Sequence, residues 1–111
     1  MAANIELGRQ HFGDLIWFAQ QVHTGGPMDY KQMGRQYEEF GNMNYGAVGR
    51  ALGVPEQVLL RAAGAVQIQS GTSDPAFGGP LDTHGPFGDD PVDQFWVHQG
   101  ARLYEMRASE P

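Results

Sequence analysis

YEEFGNMNYG, Tyr37 to Gly46, is the stretch whose reading decides the fold. Two adjacent glutamates follow an apolar pattern at helical spacing, and two asparagines, a tyrosine and two glycines come after them. Asn and Gly tolerate the left-handed backbone angles that turns require. The segment therefore reads as the end of one helix and a glycine turn into the next. Neighbouring helical positions point about 100° apart, so only one of Glu38 and Glu39 can face a shared cleft.

Outward from this stretch the chain reads as mainly α. Phe12, Leu15, Ile16, Ala19 and Val22 recur at helical spacing until Thr24-Gly25-Gly26-Pro27 ends the pattern. Asp29 is placed to cap a second helix with the stripe Tyr30, Met33, Tyr37 and Phe40. Beyond the expected turn, Tyr45, Val48 and Leu52 form a third segment that Gly53 stops. Pro55 suits the first turn of a fourth, with Val58, Leu59, Ala62 and Val66 on one face. From Ser70 to Gly88 the density of Gly, Pro, Ser, Thr and Asp predicts one long ordered loop, a kind that is often functional inside a compact domain. Asp90-Pro91-Val92-Asp93 opens a last helix with Val92, Phe95, Trp96, Gln99 and Leu103 along one side. The expectation is a compact single domain, residues 1–111, of about five helices.

Composition narrows the function. Hydrophobic residues make up 41% of the 111, enough for a single core and against disorder. With no cysteine there is neither a disulfide framework nor a thiolate metal site. Thirteen acidic residues stand against seven basic ones, a net charge of -6, and the basic ones are scattered singly. That balance disfavours non-specific nucleic-acid binding. No apolar run is long enough to span a membrane, and the N-terminus has no signal-peptide pattern.

Four motifs follow one another in order: GGPMDYK (Gly25 to Lys31), YEEFGNMNYGAVGRALG (Tyr37 to Gly53), AGAVQIQSGTSDPAFG (Ala63 to Gly78) and PFGDDPVDQ (Pro86 to Gln94). This series resembles the bacterial polymorphic toxin type 44 domain over nearly the whole chain, from about Phe12 to Tyr104. One departure is Met28, where a tryptophan is usual in the family. The resemblance implies a toxin module at the C-terminal end of a larger secreted protein. Such a module is delivered into a competing bacterium and neutralised at home by a cognate immunity protein. The resemblance says little about chemistry, which the residues must supply.

A glutamate at a helix end, followed by a glycine turn rich in Asn and Tyr, is similar to the arrangement in lysozyme-like muramidases. There a helical glutamate protonates the glycosidic oxygen. Partial burial raises a carboxyl pKa, as a general acid near neutral pH needs. The family pattern places that acid at Glu38, with Asn42, Asn44 and Tyr45 as substrate contacts. Asp89 has no capping role and is the candidate second carboxylate of a glycosidase pair. Asp90 before Pro91 suits a helix N-cap, and Asp93 suits the helix dipole. Asp89, Asp90 and Asp93 also offer oxygens to Ca²⁺ or Mg²⁺, though not at EF-hand spacing. No cofactor is expected.

His11, His23, His84 and His98 make no zinc signature. His84, in the long loop, is the one placed for proton transfer, and His98 reads as a surface residue. A ribonuclease would use His84 with Glu38 or Lys31, while Lys31 or Arg35 steadied the phosphorane. Gln67 completes the substrate-binding candidates. Neither Ser70 nor Ser73 sits in a nucleophile elbow, so a serine hydrolase is not expected. The expected function is hydrolysis of a bacterial polymer by a monomeric toxin domain. Peptidoglycan glycan in the target's periplasm comes first, on carboxylates and an acidic surface. RNA in the target's cytosol is the alternative, and a non-catalytic binding module of a secretion machine the third.

Overall fold

The computed structural model describes residues 1–23 and 25–109, apart from the side chains of Lys31, Gln32 and Arg35. Five α-helices carry the fold: α1 Ala2–Gln10, α2 Leu15–Val22, α3 Glu38–Ala51, α4 Glu56–Gln69 and α5 Pro91–Ala108. Short 3-10 turns occupy Tyr30–Met33, Arg35–Tyr37 and Pro75–Phe77, and no strand occurs among the described residues. The mainly α, single-core expectation holds. A Cα radius of gyration of 13.2 Å is that of a compact domain of this length.

The segment Tyr37 to Gly46 does not turn. Glu38 and Glu39 begin α3, where their charge complements the positive end of the helix dipole, and the helix runs on through Gly41, Asn42, Asn44 and Gly46. The second helix expected from Asp29 is replaced by the two 3-10 turns, and Asp29 accepts from the Gly25 amide at 2.9 Å instead of capping. Glycine has another use here. A Cβ on Gly46 would strike the Val97 carbonyl of α5, one on Gly100 the Met43 carbonyl of α3, and one on Gly49 the Leu59 side chain of α4. These glycines let backbones close on one another. Positive φ falls elsewhere, among them Gly53 (100°), Gly71 (77°) and Gly88 (95°), where the chain does turn.

The α3–α5 pair is the centre of the molecule. Val48 of α3 and Leu52 just after it, Leu59 of α4, Val97 of α5, Phe18 of α2 and Met28 form the main core, with Trp17, Tyr45 and Leu60 packed against it. Full burial of each large aliphatic side chain here contributes roughly 1.5–3 kcal/mol. Met28 is buried in this core, where its flexible side chain fills irregular space. On the other side of α3, Ile5 of α1 meets Ala47 and Ala51.

Two expected faces hold only in part. On α5 the buried residues are Gln94, Val97, Gly100 and Ala101, while Val92 and Phe95 of the expected stripe are 62% and 52% exposed. On α4 Leu59 is buried, but Val58 and Val66 are exposed. The small residues that make close helix contacts carry little hydrophobic signal. Larger apolar side chains beside them therefore set the apparent stripe.

Candidate active site

A cleft of about 480 Å³ opens between the start of α4, the loop before α5 and the first half of α5. Its walls are Gln57 and Leu60 from α4, Thr83 to Phe87 from the loop, and Pro91, Gln94, Phe95 and His98 from α5. Gln94 and His98 lie one helical turn apart, so they line the same wall. His84 faces the cleft from the loop.

His98 is not a plain surface residue. Its Nδ1 lies 2.5 Å from Oε1 of Glu56, in the first turn of α4, and both side chains are partly covered. A carboxylate on one ring nitrogen fixes the tautomer and leaves the other, Nε2, for chemistry. Two histidines, His84 and His98, line one cleft, and Glu56 is bonded to the second. A second groove, lined by Met43, Phe95, Trp96, Gln99, Arg102, Leu103 and Met106, has no such pair.

Beneath this surface Gln94 donates from Nε2 to the Leu60 carbonyl at 3.1 Å and to Asp89 Oδ2 at 2.7 Å. Asp89 is only 4% exposed and also accepts from the Asp90 amide at 2.9 Å. The Tyr45 hydroxyl donates to the Leu59 carbonyl at 2.7 Å. Burial, together with the negative charge of Asp89, holds the Tyr45 phenol well above its ordinary pKa, so it stays protonated.

The loop that carries His84 is tied down at several points. Arg61 Nη1 donates to the Pro80 and Asp82 carbonyls, each at 2.7 Å, and its guanidinium lies 4.3 Å over the Phe87 ring. Ser73 Oγ donates to the Gly88 carbonyl and the Gly88 amide to the Phe77 carbonyl, both at 2.7 Å. Phe87 is buried at φ 63°, a conformation costly for a bulky residue and held by its surroundings.

Of the residues singled out in the sequence, the cleft gathers His84 directly and Asp89 through Gln94. Glu38 is exposed and lines neither groove. Asn42 is buried and donates to Asp93 at 3.0 Å. Asn44 is fully buried and accepts from Asn4 at 2.8 Å, and its own Nδ2 has no partner among the described residues. Tyr45 is turned toward α4, and Gln67 accepts from the Asp90 amide and donates to the Thr72 carbonyl. The Lys31 and Arg35 side chains lie outside the described residues. Asp90 does cap α5, its Oδ1 accepting from the Val92 amide at 2.8 Å. Among the described residues no three His, Cys, Asp or Glu side chains group around a common point for a metal.

Sequence reading missed Glu56, Gln57, Gln94 and His98. The residues of the Glu56–His98 pair lie 42 apart in the chain, which no local pattern joins. The Gln94–Phe95–His98 spacing, one face of a helix, was the available signal. No helix among the described residues is long and apolar enough to cross a membrane.

No curated protein and no solved structure matches this chain. The family model for bacterial toxin 44 matches residues 30–106, from the first 3-10 turn nearly to the end of α5. That match spans the whole candidate cleft and more than half of the chain, and the chain belongs to the bacterial toxin 44 family.

Proposed function

We propose that this toxin domain cleaves RNA by general acid–base chemistry between His98 and His84. The observation that carries the reading is the Glu56–His98 pair, which opens onto the same cleft as a second histidine. Neutral His98 takes the proton of a ribose 2'-hydroxyl at Nε2, while Glu56 holds the ring and stabilises the imidazolium that forms. The freed oxygen attacks the neighbouring phosphorus and the bond from phosphorus to the 5'-oxygen breaks. Protonated His84 gives that oxygen its proton. The products are a 2',3'-cyclic phosphate and a 5'-hydroxyl. Exchange of one proton each with water returns both histidines to their starting states.

Phe95, half exposed at the cleft wall, offers a face on which a base can stack. The net charge of -6 slows encounter with a polyanion but does not bear on the proton transfers. Most glycosidases use two carboxyl groups flanking the scissile bond. Exposed Glu38 and buried, bonded Asp89 do not supply that pair at the cleft. Acting on RNA, the domain works in the cytosol of the bacterium that receives it, and a cognate immunity protein protects the producer.

The test is digestion of total RNA with the purified domain. Fragments ending in 2',3'-cyclic phosphate are expected, and His98→Ala should cost about 100-fold or more in rate. RNA left intact by folded wild-type protein would overturn the reading.

A further inference from the structure

Gln94 is nine-tenths buried, yet it forms part of the cleft wall. Its amide has one possible orientation. The Leu60 carbonyl and the Asp89 carboxylate, at 3.1 and 2.7 Å, are both acceptors, so the nitrogen must face them. Both of its hydrogens are then used. Oε1 accepts no hydrogen bond among the described residues and is not one of their buried unpartnered atoms, so it keeps some access to solvent on a residue that lines the cleft.

We propose that Gln94 Oε1 is the base-reading group of this cleft, selecting nucleobases with an exocyclic amino group and rejecting uracil. The proposal rests on the RNA reading above. An exocyclic amine projects beyond its ring and meets a lone acceptor without crowding. Uracil has no amine, and its single N–H stands between two carbonyl oxygens. An acceptor approaching that N–H faces both oxygens, and Gln94 has no free donor to answer them. Phe95 beside Gln94 on α5 gives the base a surface to stack on, and Asp89 acts as a positioning residue that keeps the amide from turning over.

Dinucleotides that differ only in one pyrimidine, CpA against UpA and ApC against ApU, put the two bases on either side of the scissile bond. Wild-type protein should cleave the cytosine member of one pair at least about tenfold faster, the scale of one hydrogen bond made against one refused. Gln94→Met, similar in volume but unable to accept in this way, should bring that ratio close to one. Should the variant not fold, titration of the wild type with 3'-CMP and 3'-UMP decides the matter, with tighter binding of 3'-CMP expected. Cleavage of both pairs without preference, or equal affinity for the two nucleotides, overturns the inference and leaves the RNA reading standing. A folded wild type that cleaves neither pair and no longer RNA overturns both.

Discussion

At the scale of single residues, the central pairing is Glu56 with His98. Each alone is an ordinary helix residue, and their 2.5 Å contact gives the imidazole a fixed tautomer. Glu56→Gln keeps the shape and removes the charge that stabilises the imidazolium. We expect kcat on RNA to fall by about 10- to 1,000-fold while KM stays nearly unchanged, because the loss is confined to the transition state. A change in KM alone would mean that the pair only shapes the wall. Tyr45 gives a prediction independent of function. Its phenol is held neutral in the folded state, so below the ordinary value of 10.0 both states keep the proton and the group adds no pH dependence. Above that value the unfolded chain loses the proton first, and stability falls as pH rises toward the higher folded value. Tyr45→Phe should begin about 1 kcal/mol less stable, through loss of the bond to Leu59, yet lose less in alkali. Denaturant unfolding across the alkaline range measures both, and equal slopes would contradict the account.

At the scale of elements, close approach of α3 and α5 is the feature on which the core depends. Gly46→Ala drives a methyl into the Val97 carbonyl, and about 3 kcal/mol or more of stability should be lost. Gly71→Ala meets no atom nearby and carries only the strain of its positive φ, about 1 kcal/mol. Comparable losses in the two variants would mean that backbone contact is not what holds the pair. Arg61 ties the long loop to α4. Arg61→Ala should lower turnover by releasing His84 while leaving the Glu56–His98 pair in place. The fall should appear in kcat with KM nearly unchanged, and a rise in KM alone would contradict this.

The same scale explains what sequence reading could reach. Helix content, the Asp90 cap and the ordered loop were legible because capping and turn chemistry are local. The α3 helix was misread because Gly and Asn have two uses, turning a chain and packing it closely, and composition cannot tell which applies. The inward faces of α4 and α5 were hidden for a related reason, since Gly64, Gly100 and Ala101 carry little hydrophobic weight. Ala2–Gln10 passed unnoticed with only Ile5 and Leu7 as large apolar residues. At the site, His84 was legible from its loop. Glu56 and His98 were not, because α4 and α5 meet only in the folded chain.

At the scale of the whole molecule, an acidic toxin domain has a cleft lined by two histidines where the loop meets α4 and α5. Leu15 and Ile16 of α2 and Met106 of α5, exposed and outside the buried core, line no part of that cleft. The most direct measurement incubates the purified domain with total RNA and, in parallel, with isolated peptidoglycan sacculi, using His98→Ala and Glu38→Gln as paired variants. Cleaved RNA, intact sacculi, and loss of activity in His98→Ala but not in Glu38→Gln are the predicted result. Release of soluble muropeptides that depends on Glu38, with RNA untouched, would contradict the account at its centre.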